Sequence, residues 1–355
     1  MSNNQRVPRR AHISHQLIPG MLVASFLAVC YNVLRLQTSS MVSKEEGNGV
    51  LLKIILALPL LILGGIGALS LYGAHYLIRR RTPDVQASPV EYLFHRASPA
   101  DYGLPFEEVA FPSRDGIPLQ GWFIPAPQPK ATIVFCHGVM GSMDPDLRYA
   151  PWFHERGYNV LMFDFRGHGR SGGDHISWGY HERQDLLGAI DYLHSRGIHR
   201  VGVMGFSLGG AVAMITAPQS PAIRAVVSDG GFAQVRKAIE GGLRTRYNLR
   251  LLHIPLSTLI VRLAGWRLGR DLSEADPIRW VSQISPRALL IIHGGQDPYV
   301  PTADARRLYE QAGEPKELWI VPEAGHREVD LRRPEEYRER VLGFFDRWLG
   351  GSEDD

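Results

Sequence analysis

The 355-residue chain carries only two cysteines, Cys30 and Cys136. Two thiols so far apart do not form a disulfide framework and favour a reducing compartment, with each read as a small buried hydrophobe. No Cys/His run has zinc-ligand spacing, so neither a metal nor an organic cofactor is implied. Charge of one sign is also missing: 39 Lys and Arg stand against 36 Asp and Glu, a net +3. The basic residues still cluster at the N-terminus, after the second apolar run, and between Arg236 and Arg279. Clusters of this kind fit an anionic membrane surface. Without an RNA-binding aromatic signature they do not point to nucleic acid.

What the N-terminal third does contain is apolar length. Residues 54–71 run without a charge, and apolar character continues to Ile78, ahead of Arg79, Arg80 and Arg81. About 20 such residues cross a hydrocarbon core. Pro59 and the Gly64-Gly65 pair suit a membrane helix better than a soluble one. An earlier run over residues 17–34 is weaker, with Pro19, Gly20 and Asn32 inside it. It is compatible with a first span, an interfacial segment, or sequence ahead of a start at Met41. Residues 1–81 are therefore expected to be an anchor, with spans at 17–34 and 54–78. The arginines on either side resist translocation and would keep the catalytic part in the cytoplasm. A cleaved signal peptide fits poorly, because the apolar core is long and the arginines follow it. Residues 82–103 are aperiodic and read as a linker.

From about residue 104 the pattern becomes that of a globular domain ending near 350. Two short strand-like runs flank Arg114-Asp115-Gly116, a hairpin signal. Solid apolar runs of strand length follow at 132–135, 159–163, 200–205, 225–227, 288–292 and 318–321, as in a parallel sheet covered on both faces. Between them lie helical patterns, among them Leu186, Leu187, Ile190 and Leu193, and later Val341, Phe344, Phe345 and Trp348. Strand and helix in alternation predict an α/β fold with a mostly parallel twisted sheet. Residues 232–285 are too long for a plain connection and are expected to fold as a helical cap.

The chemistry centres on Gly205-Phe206-Ser207-Leu208-Gly209, a G-x-S-x-G between an apolar strand and a small-residue helix. Gly205 and Gly209 lack the Cβ that would block so sharp a reversal. A serine hydroxyl needs a base to act as nucleophile. His326 follows the last strand-like run and Asp297 the one before it, so both fall at the sheet edge that carries Ser207. The order Ser207, Asp297, His326 is the one this fold expects. Asp229, at the end of the 225–227 run, is the rival for the orienting acid. The oxyanion donors are expected to be the backbone N–H groups of Val139 and Leu208, with His137 and Gly138 shaping the first of these loops.

These segments resemble the α/β-hydrolase superfamily, together with Asp164-Phe165-Arg166-Gly167-His168-Gly169 and His293-Gly294-Gly295-Gln296-Asp297-Pro298. The likeness is strongest to its esterase, lysophospholipase-like and serine-aminopeptidase-like branch. The layout is similar to that of the membrane-tethered, Bem46-like members. The resemblance implies a Ser207–Asp297–His326 triad, and a bracing role for Asp164, Arg166 and His168. A basic, amphipathic cap beside an anchor points to lipid-derived or amphiphilic esters as substrates. Peptidase or amidase activity, and a catalytically silent tethered interaction protein, remain the alternatives.

Overall fold

The computed structural model describes residues 44–80, 97–139, 141–249 and 252–350, with side chains in the first stretch from residue 56 onward. The earlier apolar run, Cys30, Met41 and residues 82–96 of the expected linker lie outside the described residues. The chain divides into two compact units, Met1–Ser70 and Leu71–Asp355.

Helix α1 (Lys44–Ile78) starts ten residues ahead of the expected span and runs through it as one helix, Pro59 included. Leu56–Ile78 within it is 23 residues long and apolar enough to cross a membrane, and burial in it is confined to Ser70, Ala74, Leu77 and Ile78 near its end. Leu60, Leu63 and Leu56 are well exposed. A core helix of a soluble protein would hide such side chains.

In the second unit eight strands form one sheet in the order β1-β2-β4-β3-β5-β6-β7-β8. Strands β1 (Glu107–Pro112) and β2 (Pro118–Ile124) pair antiparallel across the expected turn, and β2 runs antiparallel to β4 (Tyr158–Phe163). From β4 onward, through β3 (Ala131–Cys136), β5 (Val201–Phe206), β6 (Ile223–Asp229), β7 (Ala288–Gly294) and β8 (Lys316–Val321), all pairs are parallel. Every residue of β3, β4, β5 and β7 is buried, which is why these runs are apolar without alternation. Strand β1, covered on one face, alternates.

Short α2 (Ala150–Glu155) precedes β4, and α3 (Glu182–Ser195) and α4 (Leu208–Thr216) flank β5. The cap insertion folds as α5 (Val235–Tyr247) and α6 (His253–Leu268), followed by three short 3-10 turns. Helices α7 (Thr302–Gln311), α8 (Val329–Arg332) and α9 (Pro334–Leu349) complete the domain. Phe135, Phe153, Phe206, Phe345 and Tyr337 anchor one continuous core beneath the sheet. Parallel strands place the C-terminal ends of β5, β6, β7 and β8 along one edge, and the candidate residues leave the sheet there.

Candidate active site

Strand β5 ends at Phe206, and Ser207 turns the chain into α4 with φ 51° and ψ −111°. A non-glycine residue at positive φ is strained, and here the surroundings enforce it. The Ser207 N–H donates to the Asp229 carbonyl at 2.8 Å, and the Ser207 carbonyl accepts from Ala211 at 3.2 Å. A Cβ on Gly209 would overlap the Cys136 carbonyl, and one on Gly205 would overlap the Gly209 carbonyl. The two glycines let strand, turn and neighbouring loop close on one another, as the spacing predicts.

The loop after β7 delivers Asp297 and the loop after β8 delivers His326. His326 Nε2 lies 3.0 Å from Ser207 Oγ, and His326 Nδ1 lies 2.6 Å from Asp297 Oδ2. Asp297 Oδ1 accepts the backbone N–H groups of Tyr299 and Val300, at 2.8 and 2.9 Å. Burial raises the Asp297 carboxyl, yet the His326 hydrogen bond and charge, with the Val300 N–H and His293, hold it below the ordinary carboxylate range. An ionised carboxylate only accepts, so Nδ1 of His326 carries the proton and Nε2 is left to accept from the serine hydroxyl.

Asp229, the rival acid, does not reach the imidazole. Its Oδ2 accepts from the Tyr337 hydroxyl at 2.8 Å, and it is fully enclosed behind the Ser207 turn. Burial pushes its carboxyl up to about 6, against the opposing pull of Arg327. Gly230, at φ 69°, brings the backbone so near His326 that a Cβ would stand 3.3 Å from Cε1.

The loop after β3 packs against the Ser207 turn, since a Cβ on Gly138 would meet the Phe206 carbonyl and Ser207 Cβ at 3.5 Å each. The Phe165 N–H donates to His137 Nε2 at 2.9 Å, which leaves Nδ1 to donate to the Gly138 carbonyl at 2.6 Å. In a trans peptide the carbonyl and the next N–H point opposite ways. His137 thereby aims the Val139 N–H away from its own ring. The Leu208 N–H opens α4, where the helix has no internal acceptor for it.

The Asp164, Arg166 and His168 group braces this loop from outside. Asp164 accepts from the Met143 and Arg170 N–H groups at 2.7 and 2.8 Å. Arg166 pairs with Asp115 and Asp185. His168 Nδ1 lies 3.0 Å from the Arg166 carbonyl. None of the three touches Ser207 or His326 in these bonds.

Three residues close to the site carry no sequence signal strong enough to single them out. Tyr299 places its ring 5.5 Å from that of His326. Arg327, next to His326, has φ 56° and a buried guanidinium paired with Asp146 at 2.6 Å. Tyr337 holds Asp229. Each contact is long-range, and no local pattern encodes it.

A family model described as serine aminopeptidase, S33, matches residues 127–285. The Bacillus subtilis protein YqkD is 31 % identical over 247 residues, covering 68 % of this chain and 80 % of its own. Escherichia coli K12 YfhR is 30 % identical over 249 residues, covering 67 % and 80 %. The solved structure of the Pyrococcus furiosus esterase Pf2001 is similar with a TM-score of 0.61 and 28 % identity, over 72 % of this chain and 97 % of that one. Pyrococcus horikoshii acylaminoacyl peptidase shares the fold at 20 % identity and a TM-score of 0.55, over 71 % of this chain and 43 % of that chain. With the sheet order and the loop placement above, the chain belongs to the α/β-hydrolase superfamily. Its class is that of a hydrolase.

Proposed function

We propose that the protein is a serine hydrolase that cleaves carboxylic esters or thioesters through an acyl-enzyme. The observation that carries this is the unbroken chain of hydrogen-bonding distances from Asp297 through His326 to Ser207 Oγ, 2.6 and 3.0 Å. His326 Nε2 takes the hydroxyl proton as Oγ attacks the acyl carbon. The N–H groups of Val139 and Leu208 receive the negative oxygen, each such donor contributing about 3–4 kcal/mol to transition-state stabilisation. His326 returns the proton to the departing alcohol or thiol. Water then attacks the acyl-serine with the same imidazole as base, releasing the acid and restoring Ser207.

An ester is favoured over a peptide because the similar Pf2001 structure is that of an esterase and is matched over nearly its whole length. The aminopeptidase family match ends at residue 285, short of Asp297 and His326. Helix α1 is read as a membrane anchor, on the exposure and apolar length of Leu56–Ile78.

A fluorophosphonate probe tests the nucleophile. Wild type should label and Ser207→Ala should not; labelling that survives the substitution overturns the reading. A panel of esters of rising acyl length beside aminoacyl amides then settles the acyl preference, and faster cleavage of the amides would transfer the proposal to the peptidase class.

A further inference from the structure

The last two turns of α1, from Leu71 on, belong to the catalytic unit and are locked into it. The Leu77 carbonyl accepts from the Trp178 indole N–H at 3.1 Å, and the Ile78 carbonyl from the Ile176 N–H at 2.8 Å. The Arg80 N–H donates to the Asp174 carbonyl at 3.1 Å, and its guanidinium donates to the Gly173 and Ser171 carbonyls at 3.0 and 2.8 Å. Removing this helix end would strip partners from Ile176 and Trp178. No slack therefore separates the end of the apolar helix from the catalytic unit.

One turn further back, Gly73 lies against the cap. A Cβ there would stand 2.7 Å from Ile260 Cδ1, in the middle of α6. Leu256, Ile260 and Ala264 form the buried face of α6. The opposite face mixes apolar residues with arginine. Pro255, Leu259, Arg262 and Trp266 follow one another at spacings of four, three and four, which makes one stripe of a helix. Trp266 is 77 % exposed, and Ile254, in the first turn and about a third of the way round the helix from it, 53 %. Arg262, Arg267 and Arg270 are exposed around it. A helix with an apolar buried face and with tryptophan and arginines outward suits the boundary between headgroups and acyl chains.

We propose that the outer face of α6 docks on the lipid bilayer, with Trp266 and its exposed apolar neighbours at the acyl boundary and its arginines on anionic headgroups. This rests on reading α1 as the membrane helix. The consequence reaches the site, because α6 packs on α5, and α5 is tied to the acid loop through Thr245 Oγ1, which donates to the Pro298 carbonyl at 2.6 Å. A helix seated on lipid would hold the cap, and through it Tyr299 and Asp297, at a fixed height above the bilayer.

The test uses the full chain with Cys30→Ala, reconstituted in phosphatidylcholine vesicles containing phosphatidylglycerol; Cys136 is buried and stays. Single cysteines are introduced by Ile254→Cys and Trp266→Cys on α6, Leu63→Cys in the span, and Ser195→Cys at the C-terminal end of α3, and each is labelled with bimane. Brominated phospholipid should quench the labels at 254, 266 and 63 roughly twofold, and leave the label at 195 bright. Circular dichroism of each variant checks that it is folded, and no readout depends on catalysis. Quenching at 63 without quenching at 254 and 266 overturns the docking and leaves the anchor standing. Quenching nowhere overturns both. Labels at 254 and 266 that become shielded with protein concentration in detergent, but stay unquenched in vesicles, assign the face to a second copy of the chain and overturn the lipid.

Discussion

The guanidinium of Arg327 lies 4.2 Å over the ring of Phe206, so the chain neighbour of His326 rests on the chain neighbour of Ser207. Burial works against the charge of Arg327, but Asp146, Tyr149 and Asp229 hold its titration well above the ordinary arginine value. The residue ties the loop after β8 to the Ser207 turn. Replacing it with methionine leaves Asp146 buried without a counter-charge, a change that typically costs about 3–5 kcal/mol. Arg327→Met is expected to lose that much stability in urea unfolding. It should also lose about 10²-fold in kcat, because an ångström of slack at a base is worth that much. Adding Asp146→Leu should restore most of the stability; no recovery would show that the ion pair is not what Arg327 supplies.

The two acids near the base should separate cleanly by mutation. Asp297 touches His326 at 2.6 Å, whereas Asp229 bonds Tyr337. Asp297→Asn preserves shape but forces the wrong imidazole tautomer, and a loss of about 10⁴ in kcat is expected. Asp229→Asn at pH 8 should change kcat by less than about tenfold, well under what a general acid–base partner contributes. Equal losses from the two would return Asp229 to the triad.

The candidate edge is legible in the sequence because its signals are local. A glycine-flanked serine between strand and helix, and an acid and a histidine each one loop past a buried strand, follow from burial and chain order alone. The strands themselves read as unbroken apolar runs because β3, β4, β5 and β7 are covered on both faces. Asp229 is ambiguous for the same reason. It also ends a buried strand, and only three-dimensional placement shows that Tyr337, 108 residues away, takes its carboxylate. Arg327 gives no signal in the sequence, since nothing near it in the chain announces Asp146 or Phe206. The start of α1 at Lys44 escapes the hydropathy pattern because residues 44–53 carry charges that end an apolar run without ending a helix.

Gly241 gives a case where propensity and packing disagree. In the interior of α5, alanine for glycine should stabilise by roughly 1 kcal/mol on helix propensity. A Cβ there, however, would overlap the Tyr299 carbonyl, which is backbone and cannot turn aside. The clash outweighs the propensity, because α5 must move off the loop that carries Asp297. Gly241→Ala is expected to fold but to lose activity, by about 10–10²-fold in kcat/KM for an orientation error at the acid. A variant with unchanged kcat/KM and a raised Tm would show that the cap does not position the acid loop.

The buried carboxyl of Asp229 makes a prediction about pH. Burial raises it to about 6 in the folded protein, with Arg327, Tyr337 and His326 pulling it down and Asp330 pushing it up. In the unfolded chain it returns to about 3.9. Between those values the folded state binds the extra proton, so this group favours folding below about pH 4 and loses that contribution as pH rises through 6. Raising a carboxyl from about 4 to about 6 corresponds to about 3 kcal/mol at neutral pH. Asp229→Asn cannot ionise and lacks this dependence. The unfolding free energy of the variant, measured against wild type from pH 4 to pH 8, should therefore move in the variant's favour by about 3 kcal/mol. A difference that stays flat across that range would mean that Arg327 compensates the charge fully and that the carboxylate is ionised at every pH where the fold exists.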